Sequence, residues 1–172
     1  MSILSALLGG QNTQSIEEAL GARDITSTEM RTAIREWFDL YFLAENKKEE
    51  DLCQRLPVVI TEKLSKTVFS EYAPRYSGAN NDLAWLLSRL DGIKKQVFKW
   101  AMVGGECLIK PILTPRGMDL VPVRRDCFVP LARGPRGEIT DLGMVEVTSR
   151  DGGYYTLLER RTVGADGRLT IR

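Results

Sequence analysis

The chain has 172 residues, of which 43% are hydrophobic and 27% charged, enough apolar material to bury a core and too much for wholesale disorder. Lys and Arg number 24 against 23 Asp and Glu, so the net charge of +1 carries no general attraction for nucleic acid or for an acidic membrane. Histidine is absent, which removes Ser/His/Asp and Cys/His catalysis together with the commonest transition-metal ligand.

The opening Met1–Leu8 is apolar, but it has no basic flank and meets Gly9 and Gly10 long before it could cross the roughly 20 residues of a bilayer. Residues 9–25 are rich in Gly, Gln, Asn, Thr and Ser, so residues 1–25 are expected to form a flexible leader. Thr26 followed by Glu29 has the spacing of a capping box, and Met30, Ile34, Trp37, Phe38 and Tyr41 then recur at helical period, which predicts a first helix. After a polar connector at residues 46–51, Pro57 suits the first turn of a second helix. Its apolar stripe is Ile60, Leu64 and Val68, flanked by Lys63 and Lys66, and Pro74 ends it. A turn over residues 77–81 leads to the clearest amphipathic pattern, Leu83, Leu86, Leu87, Leu90, Ile93, Val97, Phe98 and Ala101, which predicts a third helix from about Asp82 to about Met102. Residues 26–103 thus form a helical segment, and Trp37, Phe38, Leu87, Leu90, Val97 and Phe98 are its predicted core.

At Gly104 and Gly105 the period changes from helical to alternating, and one of the two is expected to take positive φ where the chain leaves the helix. Residues 104–172 read as an antiparallel β segment. Strands are predicted at 107–113, 118–123, 128–131, 139–148, 154–163 and from 169, with Pro/Gly turns at 114–117 and 134–137 and Asp/Gly turns at 151–153 and 165–167. The fold class is therefore α+β, three helices followed by an antiparallel meander, with the helical and β segments packing as one incomplete domain. The final strand, Leu169–Arg172, has no closing element after it, so residue 172 is expected to be a truncation point.

Residues that could carry chemistry have plainer readings. Cys53, Cys107 and Cys127 are odd in number and far apart, so a disulfide framework or zinc site is not expected, and each is expected to be a buried hydrophobe. Glu106, Asp119, Asp126 and Asp141 could in principle hold magnesium, but their spacing forms no motif and solvated carboxylates are expected. Gly104 and Gly105 stand at a helix exit, the wrong polarity for a phosphate loop. Lys95 and Lys99 share a helix face opposite the leucines, where solvation accounts for them, as it does for Lys94. The Arg124/Arg125 and Arg160/Arg161 pairs point to opposite faces of a strand and so cannot both address one partner. Tyr154 and Tyr155 suit sheet packing better than base stacking. Catalytic, cofactor and metal residues are accordingly predicted to be none, and no DNA-contact residue can be assigned.

The order of elements, with Trp37–Tyr41 (WFDLY), Leu64–Glu71 (LSKTVFSE), Ala101–Lys110 (AMVGGECLIK), Leu120–Pro130 (LVPVRRDCFVP), Gly137–Ile139 and the paired tyrosines ahead of Leu157–Glu159, resembles the amino-terminal region of tailed-phage portal proteins of the siphophage and prophage type. The resemblance covers residues 28–172. It implies a non-enzymatic, wing-like part of a ring subunit, usually of twelve copies. It also implies a place in the virion and, during assembly, in the host bacterial cytoplasm. The partners it implies are copies of itself, capsid and scaffold proteins, the terminase large subunit, head-completion and tail proteins, and double-stranded DNA passing through the channel. No cofactor and no membrane are expected. The alternative reading is a phage or prophage adaptor, a protein-binding domain that forms no ring.

Overall fold

The computed structural model describes residues 12–42, 56–73, 81–115 and 117–172. In chain order the elements are α1 (Asn12–Leu20), α2 (Thr28–Phe42), α3 (Leu56–Phe69), α4 (Asn81–Gly104), β1 (Cys107–Thr114), β2 (Gly117–Arg124), a single 3₁₀ turn (Arg125–Cys127), β3 (Phe128–Arg133), β4 (Ile139–Arg150), β5 (Gly153–Val163) and β6 (Leu169–Ile171). The class is α+β, with helices preceding antiparallel strands. The strands form two sheets, a β1–β2 hairpin and a four-stranded β3–β4–β5–β6 meander. The 3₁₀ turn breaks the expected continuous meander because its helical dihedrals interrupt the ladder after Arg124.

The chain gathers into two compact units. One comprises residues 1–36 and 126–172, the other residues 37–125. Each unit combines helix with strand. A β-sheet face needs a helix or second sheet to bury it, and here each sheet recruits its own.

In the first unit, the sequence pointed to a leader through residue 25, but Asn12–Leu20 is a helix. Ile16 and Leu20 are buried with Val145, and Leu158 packs against them. These apolar contacts on a sheet face outweigh the poor local composition that suggested disorder. A Cβ on Gly143 would collide with Leu20, so that glycine lets α1 approach the sheet backbone. The helix closes on Gly21, at φ 63°, with Gly21 N–H donating to Glu18 O and Ala22 N–H to Glu17 O, the paired bonds of a Schellman cap. The other sheet face buries Phe128, Pro130, Leu142 and Met144, which the register brings side by side as Phe128↔Met144 and Pro130↔Leu142. The loop into α2 is held by the Ile25 N–H bond to Pro130 O and by Arg31, whose guanidinium lies 3.3 Å from Asp24 and 3.5 Å from Glu17. The cap of α2 falls one residue later than the sequence pattern placed it. Ser27 Oγ accepts from Met30 N–H at 3.2 Å, whereas Thr26 N–H donates to Asp24 Oδ1.

In the second unit, α3 packs on α4 and the β1–β2 hairpin packs on α4. The faces of α3 are reversed relative to the sequence reading. Thr61 and Ser65 are buried, while Ile60, Leu64 and Val68 are exposed. Small side chains let two helices approach closely, and Thr61 Oγ1 satisfies itself on the Pro57 carbonyl at 2.9 Å, so burying it costs little. An aromatic cluster of Phe69, Tyr72 and Phe98 joins the two helices, with Lys94 Nζ over both Phe69 and Tyr72. Of the predicted core, Phe38 is buried, Leu87, Leu90, Val97 and Phe98 are half-buried, and Trp37 is exposed. Helical period identifies a stripe but not which of two adjacent stripes is covered. Pro74, the 46–51 connector, most of the 77–81 turn and Cys53 lie outside the described residues.

The turns follow their chemistry. Gly117, Gly137 and Gly167 all have positive φ, and Asp151–Gly152, at φ 52° and 77°, forms the two-residue hairpin turn that matches strand twist. The helix-to-strand handover uses both expected glycines. Gly105 takes φ 82° and donates its N–H to Ala101 O at 2.8 Å, while Gly104 is buried.

Candidate interaction surfaces

The arginine pairs and the four carboxylates singled out in the sequence meet partners within the chain. Arg160 sits on β5 opposite Gly143 and donates to both oxygens of Asp141, at 3.1 and 2.6 Å, and to the Leu20 carbonyl at 2.7 Å. Thr162 Oγ1 donates to the same carboxylate at 3.1 Å. These hydrogen bonds, the Arg160 ones first, hold the Asp141 carboxyl below its ordinary range despite the opposing effect of burial. Asp141 is therefore a structural anchor that ties the end of α1 to the sheet, not a solvated carboxylate.

The other paired basic residues are also engaged. Arg161 bonds Glu159 on its own strand. Arg124 at the end of β2 stacks over Phe38 and Phe42, 5.2 and 4.8 Å from the ring centroids. Arg125, in the 3₁₀ turn, is buried with its Nε 3.3 Å from Glu106. On α4, Lys94 pairs with Asp91, and Lys99 reaches Glu62 on α3 at 2.6 Å, so Lys99 is a bridge between helices where the sequence suggested solvation. Lys95 is exposed. The members of each arginine pair take different partners, and Arg125 stands in the 3₁₀ turn where the sequence reading places it on a strand.

The four carboxylates considered for magnesium do not converge. Glu106 faces Arg125, Asp119 lies 4.0 Å from Arg89, Asp126 accepts from Cys127 Sγ at 3.6 Å, and Asp141 is held by Arg160. Among the described residues no group of three or more His, Cys, Asp or Glu side chains is placed to hold a metal ion. Cys107 is half-buried on β1 and burial pushes its thiol up to about 11, so it is not a ready nucleophile. Among the described residues no helix is long and apolar enough to cross a membrane.

What the molecule does present is apolar side chains on outward helix and strand faces. On α3 these are Leu56, Val59, Ile60, Leu64 and Val68; on α2 they are Met30, Trp37 and Leu40. The β1–β2 hairpin carries Leu113, 88% exposed, beside Met118 in register. Tyr155, Leu157, Val163, Leu169 and Ile171 lie exposed along β5 and β6. The sequence pattern of α2 correctly placed Ile34, Phe38 and Tyr41 inside but also placed Met30 and Trp37 there, and that of α3 assigned Ile60, Leu64 and Val68 to the interior where they are exposed. The signal that could have corrected this is the Thr61/Ser65 pair, whose small size suits close helix packing. Comparison with protein-family models, with curated proteins and with solved structures yields no match to this chain.

Proposed function

We propose that the chain is the amino-terminal part of a subunit of a tailed-phage portal ring, the head–tail connector through which DNA is packaged and ejected, and that it acts as a structural protein without catalytic chemistry of its own. The observation that carries the reading is where the portal-like phrases fall on the fold. WFDLY closes α2, LSKTVFSE closes α3, AMVGGECLIK spans the handover from α4 to β1, and LVPVRRDCFVP spans the passage from β2 through the 3₁₀ turn to β3. Each phrase sits at a junction where geometry constrains sequence, which is where a resemblance of fold would be written.

The side-chain inventory supports the same reading. A channel past which DNA slides must avoid holding phosphate, since each neutralised phosphate adds salt-sensitive affinity. Here Arg124, Arg125, Arg160 and Arg161 are directed to rings, carboxylates and a backbone carbonyl within the chain. Apolar helix faces turned outward suit a component that is completed by neighbours. On this reading the partners are copies of itself, capsid and scaffold proteins, terminase, and head-completion and tail proteins, in the virion and, during assembly, the bacterial cytoplasm.

The test is to read the coding frame around this chain and express its full product for negative-stain microscopy. A closed ring supports the proposal. A product that stays monomeric at high concentration yet binds another phage protein supports the adaptor reading instead.

A further inference from the structure

Two exposed helix faces are complementary in both apolar content and charge. The outward face of α2 carries Met30, Trp37 and Leu40, with the exposed carboxylates Glu29 and Glu36 beside them on the helical wheel. The outward face of α3 carries Leu56, Ile60, Leu64 and Val68 in an i, i+4 line, with the exposed Lys63 beside it. Neither Glu36 nor Lys63 takes part in an ion pair among the described residues. Apolar stripes at helical period are the pattern by which helices bury themselves; α2 buries Ile34, Phe38 and Tyr41 and still carries Met30, Trp37 and Leu40 outward, while the buried side of α3 is made by Thr61 and Ser65 and its whole stripe is outward. Trp37, 42% exposed, is the residue type that most often anchors an interface.

We infer that the Trp37 face of α2 on one copy of this chain docks on the Ile60–Leu64 face of α3 on a second copy, with Glu36 opposite Lys63. An acidic apolar ridge repels another acidic ridge, and a basic one repels its like, so the contact joins unlike faces. Such a contact is heterologous. Each copy keeps one free face of each kind, and addition continues until rotation closes the assembly. The inference rests on the ring reading above, whose subunit contact it locates.

Charge reversal on the 172-residue chain tests it, with self-association followed by sedimentation at low salt. The wild type is expected to associate with rising concentration. Glu36→Lys alone sets an introduced ammonium against Lys63, and Lys63→Glu alone sets an introduced carboxylate against Glu36, so each is expected to weaken association about tenfold. Mixing the two single variants restores it, because each then meets an unlike partner, a rescue that misfolding of either variant cannot produce. A wild type that stays monomeric, a single variant that associates like the wild type, or a mixture without rescue overturns the contact. Each of those outcomes leaves the ring reading standing, and that reading falls separately if the full-length product forms no ring.

Discussion

The handover from α4 to β1 makes a demand on two adjacent glycines for two different reasons, and substitution separates them. A Cβ built on Gly104 lies 2.7 Å from Arg125 Cβ and 2.8 Å from Phe38 Cε2, neither of which is the free end of a flexible chain. Phe38 is only 2% exposed, so Gly104→Ala overpacks the site at a cost of about 1–3 kcal/mol, offset in part by the better helix propensity of alanine. Gly105 has open space around it but φ 82°, so Gly105→Ala costs about 1–2 kcal/mol through backbone strain alone. The two mechanisms respond oppositely to asparagine, which tolerates the left-handed conformation but is larger than alanine. Gly105→Asn is expected to melt closer to the wild type than Gly105→Ala, whereas Gly104→Asn melts below Gly104→Ala. In a domain of this size each 1 kcal/mol moves Tm by roughly 2–4 °C, which thermal denaturation resolves. Trimming Phe38 to Leu in the Gly104→Ala background should recover part of the loss, the coupling expected of residues in contact. If Gly104→Ala and Gly105→Ala both melt with the wild type, the handover geometry is wrong.

Leu20→Ala, which removes a buried contact of α1 with the sheet, is expected to cost about 2–3 kcal/mol and to open residues 12–20 to limited proteolysis; equal protection of both proteins would return that segment to a leader. Asp141→Asn should destabilise the fold at neutral pH. Because the folded Asp141 carboxyl titrates below its ordinary value of 3.8, the stability it supplies is present above that value and is lost as pH falls through the lowered one, so the variant should show a flatter acid limb in pH-dependent unfolding. Cys107, its thiol pushed up to about 11, is expected to resist alkylation at pH 8 until denaturant is added, as read by mass spectrometry of its peptide. Leu90→Ala, at a half-buried position, should cost about 1–2 kcal/mol, less than a fully buried leucine.

Strand and turn chemistry were legible in the sequence to within a residue or two, because each reversal is marked by glycine at positive φ or by the Asp151–Gly152 pair. The handover at Gly105 was legible for the same reason. Three features were not. Helix α1 is held by Ile16, Leu20 and the Arg160 bond to the Leu20 carbonyl, contacts with residues more than a hundred positions away that no local pattern reports. The burial of Thr61 and Ser65 in place of Ile60, Leu64 and Val68 depends on which side of α3 is covered in the fold, a tertiary property. The 3₁₀ turn at Arg125–Cys127 divides the strands into two sheets, and no glycine or proline marks it in the sequence. The roles of Arg124, Arg125, Arg160 and Lys99 were likewise hidden, since a charge pattern does not say which ring or carboxylate will meet it.

The central claim is that this chain belongs to a subunit that closes into a ring. Imaging the product of the full coding frame by negative-stain electron microscopy tests it most directly. Annular particles with a central channel and rotational symmetry are the predicted result, and a monodisperse monomer at high concentration would contradict the account.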